Sequence, residues 1–250
     1  MENMKTILIT GGSRGIGAAT AILAAKKGYA VVVNYCKNKS KAERVVSQIK
    51  KDGGIAIAVQ ADITKEQEVL NLFRETKKAF GNINVLINNA GILEPQMRFE
   101  KMSMERIINV FKTNVFAQFL CAQEAIKQMA FSRGGNGGAI VNVSSLASKS
   151  GSPDEYIDYA CSKGALDTFT IGLSKEVATE GIRVNAVRPA FIYTDIHKTG
   201  GEPDRIERIK NSIPLRRGGL AKEVAEAILW LASDESSYCT GTFIDVSGGR

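Results

Sequence analysis

Lys5-Thr6-Ile7-Leu8-Ile9-Thr10-Gly11-Gly12-Ser13-Arg14-Gly15-Ile16-Gly17 passes from an apolar, β-branched stretch through a glycine turn into the helical pattern Ala18-Ala19-Thr20-Ala21-Ile22-Leu23. Strand, glycine turn and helix in that order open a βαβ unit. Glycine lets the backbone approach a pyrophosphate closely, and the free N–H groups and positive end of the helix attract its charge. The spacing is G-x-x-x-G-x-G; it is not the commoner dinucleotide fingerprint and it lacks the Gly-Lys-Ser/Thr ending of a triphosphate loop. Close packing of a helix on a strand also demands glycine, so the turn alone does not fix a ligand. The same residues fit a G-x-S-x-G nucleophile elbow with Ser13 as nucleophile, and Asp195 and His197 follow in the order of a serine hydrolase. Against that reading, the elbow would follow the first strand. The sole histidine also lies among Thr194, Asp195, Lys198, Thr199, Gly200 and Gly201, a composition that reads as a mobile surface segment.

Outward from this turn, short apolar runs alternate with longer helical stretches. Thr6–Thr10, Ala30–Asn34, Ile55–Val59, Val85–Asn88, Ala139–Val143, Arg183–Val187 and Phe243–Val246 read as strands. Gly15–Gly28, Lys39–Lys51, Lys65–Phe80, Ser103–Met129, Tyr156–Glu180 and Ala221–Ser233 read as helices. Strands that are apolar throughout are buried on both faces, which requires helices on either side of a parallel sheet. The expectation is an α/β fold over residues 1–250, a single doubly wound, Rossmann-like parallel sheet of about seven strands.

Composition narrows the function. The 250 residues carry 33 basic and 26 acidic side chains, a net charge of +7. The basic residues occur as scattered pairs such as Lys26/Lys27 and Arg216/Arg217 and read as solvated faces, with no recognisable nucleic-acid reading module. Four cysteines far apart and one histidine offer no metal site, and the thiols read as reduced, which points to the cytoplasm. No stretch approaches the ~18 apolar residues of a membrane helix, so no membrane partner is expected.

In a doubly wound sheet, ligands bind beyond the carboxyl ends of the strands. The glycine turn, Asn88-Asn89-Ala90-Gly91, Ser144-Ser145 and Arg188-Pro189 all fall at such ends and define one cleft. Tyr159-Ala-Cys-Ser-Lys163 adds a phenol and an ammonium four residues apart, about 6 Å along one helix face. A nearby cation favours phenolate over phenol and would bring a group that titrates near ~10 toward neutral pH. Such a phenol is a usable general acid or base.

Taken together, Thr10–Gly17, Asn88–Gly91, Asn114, Ser145, Tyr159-x-x-x-Lys163 and Arg188-Pro189 resemble the short-chain dehydrogenase/reductase family over nearly the whole chain. The resemblance implies a sheet of order 3-2-1-4-5-6-7 and hydride transfer between a nicotinamide cofactor and a carbonyl or secondary alcohol. It implies Tyr159 as general acid/base, Lys163 lowering its pKa and binding the nicotinamide ribose, Ser145 holding the carbonyl oxygen, and Asn114 kinking a helix to support a proton-relay water. It assigns cofactor contacts to Gly11, Ser13, Arg14, Gly15, Ile16, Gly17, Asn34, Tyr35, Lys37, Asp62, Ile63, Asn89, Ala90, Gly91, Pro189, Ile192 and Thr194, besides Tyr159 and Lys163. A homotetramer is the usual assembly, with a dimer as the smaller option, through the helices of Ser103–Met129 and Tyr156–Glu180 and the last strand. Phe116, Phe119, Leu166 and Phe169 fit either that packing or the monomer core. A non-catalytic, NADP-binding regulatory protein on the same fold is the remaining alternative.

Two departures from the family pattern stand out. Tyr159 follows Ser145 by 14 positions where 13 is usual, implying one extra residue in Lys149–Asp158; Pro189-Ala190 replaces Pro-Gly. Tyr156 is not the catalytic phenol, because Ala160 lies four residues on.

An NAD site usually places a carboxylate at the end of the second strand, against the ribose. Here Tyr35 stands there, and Arg14 and Lys37 offer cations to a 2′-phosphate, so NADP(H) is the expected cofactor. Residues 194–217 form the expected substrate lid, with Gly200-Gly201 as hinges. The substrate is expected to be a small carbonyl or alcohol. Reductases of 3-oxoacyl groups on carrier proteins and sugar dehydrogenases share the pattern, although Glu180 stands where carrier-protein reductases commonly offer a basic residue.

Overall fold

A computed structural model describes residues 4–250. The seven parallel strands of the main sheet are β1 (Thr6–Ile9), β2 (Ala30–Tyr35), β3 (Ile55–Gln60), β4 (Val85–Asn88), β5 (Gly138–Val143), β6 (Ile182–Pro189) and β9 (Phe243–Val246), in the order β3-β2-β1-β4-β5-β6-β9. This is the predicted 3-2-1-4-5-6-7 arrangement. The order reverses between β1 and β4, where Ile7, Leu8 and Ile9 lie opposite Val85, Leu86 and Ile87.

Alternation along each strand decides which layer its side chains join. Ile7, Ile9, Val31 and Val33 face one apolar core with α1 (Gly15–Lys26), α2 (Lys39–Lys51) and α10 (Ala221–Ala232). Leu8, Val32, Leu86 and Ile140 face the other, with α3 (Glu66–Phe80), α5 (Ala117–Met129) and α7 (Ile157–Glu176). Both faces of β1, β2 and β4 are therefore covered, which is why those runs carry no polar alternation. Because the strands are parallel, their carboxyl ends share one edge, and the conspicuous motifs converge there.

Three features go beyond the sequence reading. The stretch expected as one helix over Ser103–Met129 contains α4 (Met104–Phe111), a π-helical turn at Lys112–Phe116, and α5. Asn114 lies inside that turn, at a kind of bulge found at functional sites. A second, two-stranded parallel sheet pairs β7 (Ile192–Tyr193) with β8 (Gly219–Leu220) and ties both ends of the intervening segment, which holds α8 (Ile196–Thr199) and α9 (Arg205–Ile209). In the loop after α6 (Ala147–Ser150), Gly151, Ser152 and Asp154 adopt φ of 74°, 44° and 62°. Two non-glycine residues in left-handed conformation mark a tight local detour.

Among the apolar candidates for assembly contacts, Leu166 belongs to the monomer core, Phe119 and Phe169 pack on each other with centroids 4.3 Å apart, and Phe116 is exposed. No helix among the described residues is long and apolar enough to cross a membrane.

Candidate active site

The strand ends open into a cleft of roughly 1360 Å³. Most small-ligand sites measure about 300–1,000 Å³, so the cleft has room for a dinucleotide and a second molecule. The glycine turn forms its floor. Gly11 and Gly15 have φ of 61° and 54°, the left-handed region that favours glycine. A Cβ on Gly17 would meet the Gly11 carbonyl oxygen and Asn89 Nδ2 at 2.5 Å, so the chain here tolerates no side chain. The first turn of α1 has no acidic residue and no side-chain cap, leaving its N–H groups facing the cleft for an anion.

Several polar side chains brace this floor. Asn34 Oδ1 accepts from Gly11 N–H at 3.2 Å, while its amide donates to the Ala61 carbonyl at 3.0 Å. Thr10 Oγ1 accepts from the N–H groups of Asn89 and Ala90 at 2.9 and 3.0 Å. Asn89 Nδ2 donates to the carbonyls of Thr10 and Gly11 at 2.8 and 3.2 Å. Asp62 Oδ1 accepts from the hydroxyl and N–H of Thr64. These bonds fix the backbone that a ligand would touch.

On the far wall, Lys163 is buried and its Nζ donates to the Val143 carbonyl at 2.7 Å, while standing 5.6 Å from the centre of the Tyr159 ring. The half-buried Tyr159 lines the cleft with Ser145. Burial pushes the Tyr159 phenol up to about 12, with the Ser145 hydroxyl acting in the opposite direction. Burial also draws Lys163 down to about 8, opposed by the charge of Asp167. The Lys163 ammonium stands near the Tyr159 ring and is directed at the Val143 carbonyl. Burial, which disfavours the charged form, is the larger of the two influences on the phenol.

Asn114 is completely buried and its side chain is satisfied: Oδ1 accepts from Ile92 N–H at 2.8 Å, and Nδ2 donates to the Ile92 carbonyl and Ser162 Oγ, both at 3.1 Å. This ties the π-helical turn to the strand-four loop, beside Gly91, and to the helix carrying Tyr159. Asp167 holds the base of the site by accepting from Ser144 Oγ at 2.6 Å and Arg188 Nε at 2.9 Å.

Family comparisons fit this geometry. The family model described as "Enoyl-(Acyl carrier protein) reductase" matches residues 11–250. The "Uncharacterized oxidoreductase YgfF" of Escherichia coli strain K12 is 56% identical over 247 residues, covering 99% of this chain and 100% of that protein. The chain belongs to the short-chain dehydrogenase/reductase family. It is an oxidoreductase of that family. The "3-oxoacyl-[acyl-carrier-protein] reductase FabG" of Staphylococcus aureus strain Mu50 is 38% identical, covering 100% of this chain and 99% of that one. A crystal structure of a dehydrogenase/reductase from Sinorhizobium meliloti 1021 superposes with a TM-score of 0.90 at 31% identity, over 98% of this chain and 94% of that one.

Every short-chain dehydrogenase/reductase position named from the sequence lines the cleft or buttresses it. Ser13, Arg14, Ile16, Tyr35, Lys37, Ile63, Pro189, Ile192 and Thr194 line it directly. Asn114 and Gly17 are not among the lining residues and act from behind. Tyr35 is buried and contributes to the core beneath β2, while Arg14 and Lys37 are exposed at the mouth. Ala190 has no left-handed backbone and donates its N–H to the Val246 carbonyl at 3.1 Å, so the methyl is accommodated without strain.

One expectation is corrected outright. His197 is not part of a mobile surface stretch: it is buried, with Nε2 3.0 Å from the Ile192 carbonyl and its pKa lowered by burial. Asp195 pairs with Lys41 Nζ at 3.0 Å. Among the described residues no hydrogen bond links Ser13, Asp195 and His197, which leaves the hydrolase elbow without a relay.

Sequence reasoning missed the clamp on segment 194–217. Arg205 is buried and pairs with Glu155 and Glu202, and its guanidinium lies 5.1 Å from the Tyr156 ring centre. Tyr156 donates its hydroxyl to the Gly200 carbonyl at 3.1 Å, and Gln96 donates to Glu202 at 2.7 Å. Tyr156 is thus a fastening for this segment. Arg106, almost buried, holds Asp158 at 2.7 Å and donates to the Pro95 carbonyl at 2.6 Å, steadying the loop that Gln96 occupies. Thr10 could have been found from its place before the glycine turn; the clamp, whose contacts to Glu155, Tyr156 and Gln96 span 44 to 106 residues, leaves no local signal.

Proposed function

We propose that this protein reduces a carbonyl group to an alcohol with NADP(H), Tyr159 acting as the proton donor. The observation that carries the reading is the convergence of Tyr159, Ser145 and Lys163 on one wall of a cleft whose opposite floor is an uncapped glycine turn.

Thr194 and Pro189 line the cleft where they would hold the nicotinamide, which when bound would supply the hydride for reduction. Ser145 donates a hydrogen bond to the substrate oxygen, which gains negative charge as the carbonyl carbon is reduced. Tyr159 passes its hydroxyl proton to that oxygen, and the alcohol leaves. A phenol held protonated by burial is in the form that reduction consumes. Lys163 binds the nicotinamide ribose, and its charge stabilises the phenolate left behind until solvent reprotonates it. Asn114 holds the π-helical turn in place for a relay water. Segment 194–217 closes over the substrate as a lid, fastened by Arg205 and Tyr156.

NADP(H) is favoured because the adenosine end of the cleft presents Arg14 and Lys37, while buried Tyr35 fills the position where an NAD site carries an acid. Residues 1–250 act as a single domain in the cytoplasm, where unpaired thiols such as Cys36 and Cys121 stay reduced. The exposed Met104, Ile108 and Phe116 give α4 and its π-helical turn an apolar face suited to a homotetramer.

The test follows NADPH and NADH oxidation across ketones, quinones, aldehydes, sugars and 3-oxoacyl thioesters, alongside an ester panel. NADPH-dependent turnover of a carbonyl class with no ester cleavage is the expected result. Ester hydrolysis without a nucleotide would overturn the reading.

A further inference from the structure

Lys41 and Asp195 form an ion pair between opposite walls of the cofactor cleft. Lys41 stands in the first turn of α2, just beyond the end of β2, while Asp195 immediately precedes α8 at the start of the lid. Both line the cleft, and Nζ and Oδ2 are 3.0 Å apart. Arg14 also faces Asp195 closely enough to stabilise its charge. The adenosine end therefore holds three cations, Arg14, Lys37 and Lys41. Among the described residues only Lys41 of the three is in a salt bridge. Asp62, the other carboxylate at this end, already accepts from Thr64 and lies 3.9 Å from Lys65.

Building on the NADP(H) reading, we propose that Lys41 is a third cation for the cofactor's 2′-phosphate and that Asp195 is its internal competitor, released when the phosphate binds. The ion pair is exposed on both sides, with side chains 41% and 55% accessible, and pairs of this kind contribute little to stability. A phosphate monoester carries about −1.5 to −2 charge and three acceptor oxygens against a single charge on the carboxylate, so it wins the ammonium. NAD(H) has nothing to offer Lys41 and leaves the pair closed. Specificity for the phosphorylated cofactor thus rests partly on a residue outside the glycine turn and the strand end. Because Asp195 begins the lid, the exchange also links the type of cofactor bound to the fastening of one lid end.

Calorimetric titration of the full-length chain with NADP+, NAD+, adenosine 2′,5′-bisphosphate and AMP tests this without any turnover. K41Q is expected to weaken NADP+ and the bisphosphate about tenfold, the size of one charge-assisted contact, while NAD+ and AMP stay within about twofold. D195N is expected to tighten the two phosphorylated ligands only. K39Q serves as a control on the same helix, since Lys39 points to Glu43 at 3.6 Å and does not line the cleft. If wild type prefers NADP+ and K41Q binds it equally well, or loses all four ligands alike, the Lys41 role is wrong and the cofactor reading stands. If D195N weakens NADP+, Asp195 is no competitor. A wild-type chain that binds NAD+ more tightly than NADP+ overturns the cofactor reading and the Lys41 role with it.

Discussion

The glycine turn and segment 194–217 face each other across one cleft and are built by opposite means. The turn is held by backbone geometry: left-handed Gly11 and Gly15, a Gly17 with no room for a Cβ, and side chains of Thr10, Asn34 and Asn89 bonded to main-chain atoms. Segment 194–217 is tied at its ends by the short β7–β8 pairing and at Gly200 by Tyr156, while between them side chains bond to other side chains, with Arg205 and Glu202 reaching Glu155 and Gln96. A backbone-built wall admits few substitutions and keeps its shape. A wall built from ion pairs can exchange partners and open, which is the property a substrate-facing lid requires.

If this contrast is right, damage to the two walls differs in kind. Gly17→Ala places a methyl against the Gly11 carbonyl and should cost about 1–3 kcal/mol of global stability, read as a lowered denaturation midpoint. Nucleotide binding should fall with it. An unchanged midpoint would mean that the turn is more pliable than its geometry implies.

Arg205→Met removes the central cation of the clamp and leaves Glu155 without its buried partner. The expected global loss is smaller, on the order of 1 kcal/mol, because both carboxylates retain access to solvent. Proteolytic cleavage within 194–217 should accelerate markedly, and KM should rise while nucleotide affinity holds. Equal protease resistance in the variant would erase the distinction between the two walls.

The smallest effect concerns pH. His197 has a folded-state pKa below its unfolded value because burial disfavours the cation. Its contribution is therefore complete above the unfolded value near ~6.5 and is lost as pH falls through that range, since the unfolded chain takes up the proton first. Denaturant midpoints of wild type and His197→Gln should converge on acidification from neutral pH. Parallel curves would show that the histidine is charged or solvated in the fold.

The two walls also differ in how far they can be read in advance. The sheet order was implied only by the family resemblance, whereas the strands and the residues at their ends follow from apolar runs and glycine spacings, which short-range geometry imposes. Tyr159 and Lys163 were legible as a pair for the same reason, four residues apart on one helix. Their protonation was not, since spacing says nothing of how deeply the phenol and ammonium are buried or that Lys163 Nζ is directed at the Val143 carbonyl. Asn114 was visible as a residue, whereas the π-helical turn around it depends on bonds to Ile92 and Ser162. The Arg205 clamp and the burial of His197 were hidden entirely, because their partners lie in loops whose approach only the tertiary fold decides.

The central claim is that the Tyr159 hydroxyl moves the proton while the rest of the site binds nucleotide without it. Tyr159→Phe removes one oxygen and keeps the ring, so NADPH affinity measured by fluorescence titration should stay within about twofold of wild type. Turnover of the best carbonyl substrate should fall ~10²–10⁴-fold, the usual share of a positioned general acid. Wild-type turnover in the variant, with NADPH bound as tightly, would contradict the account.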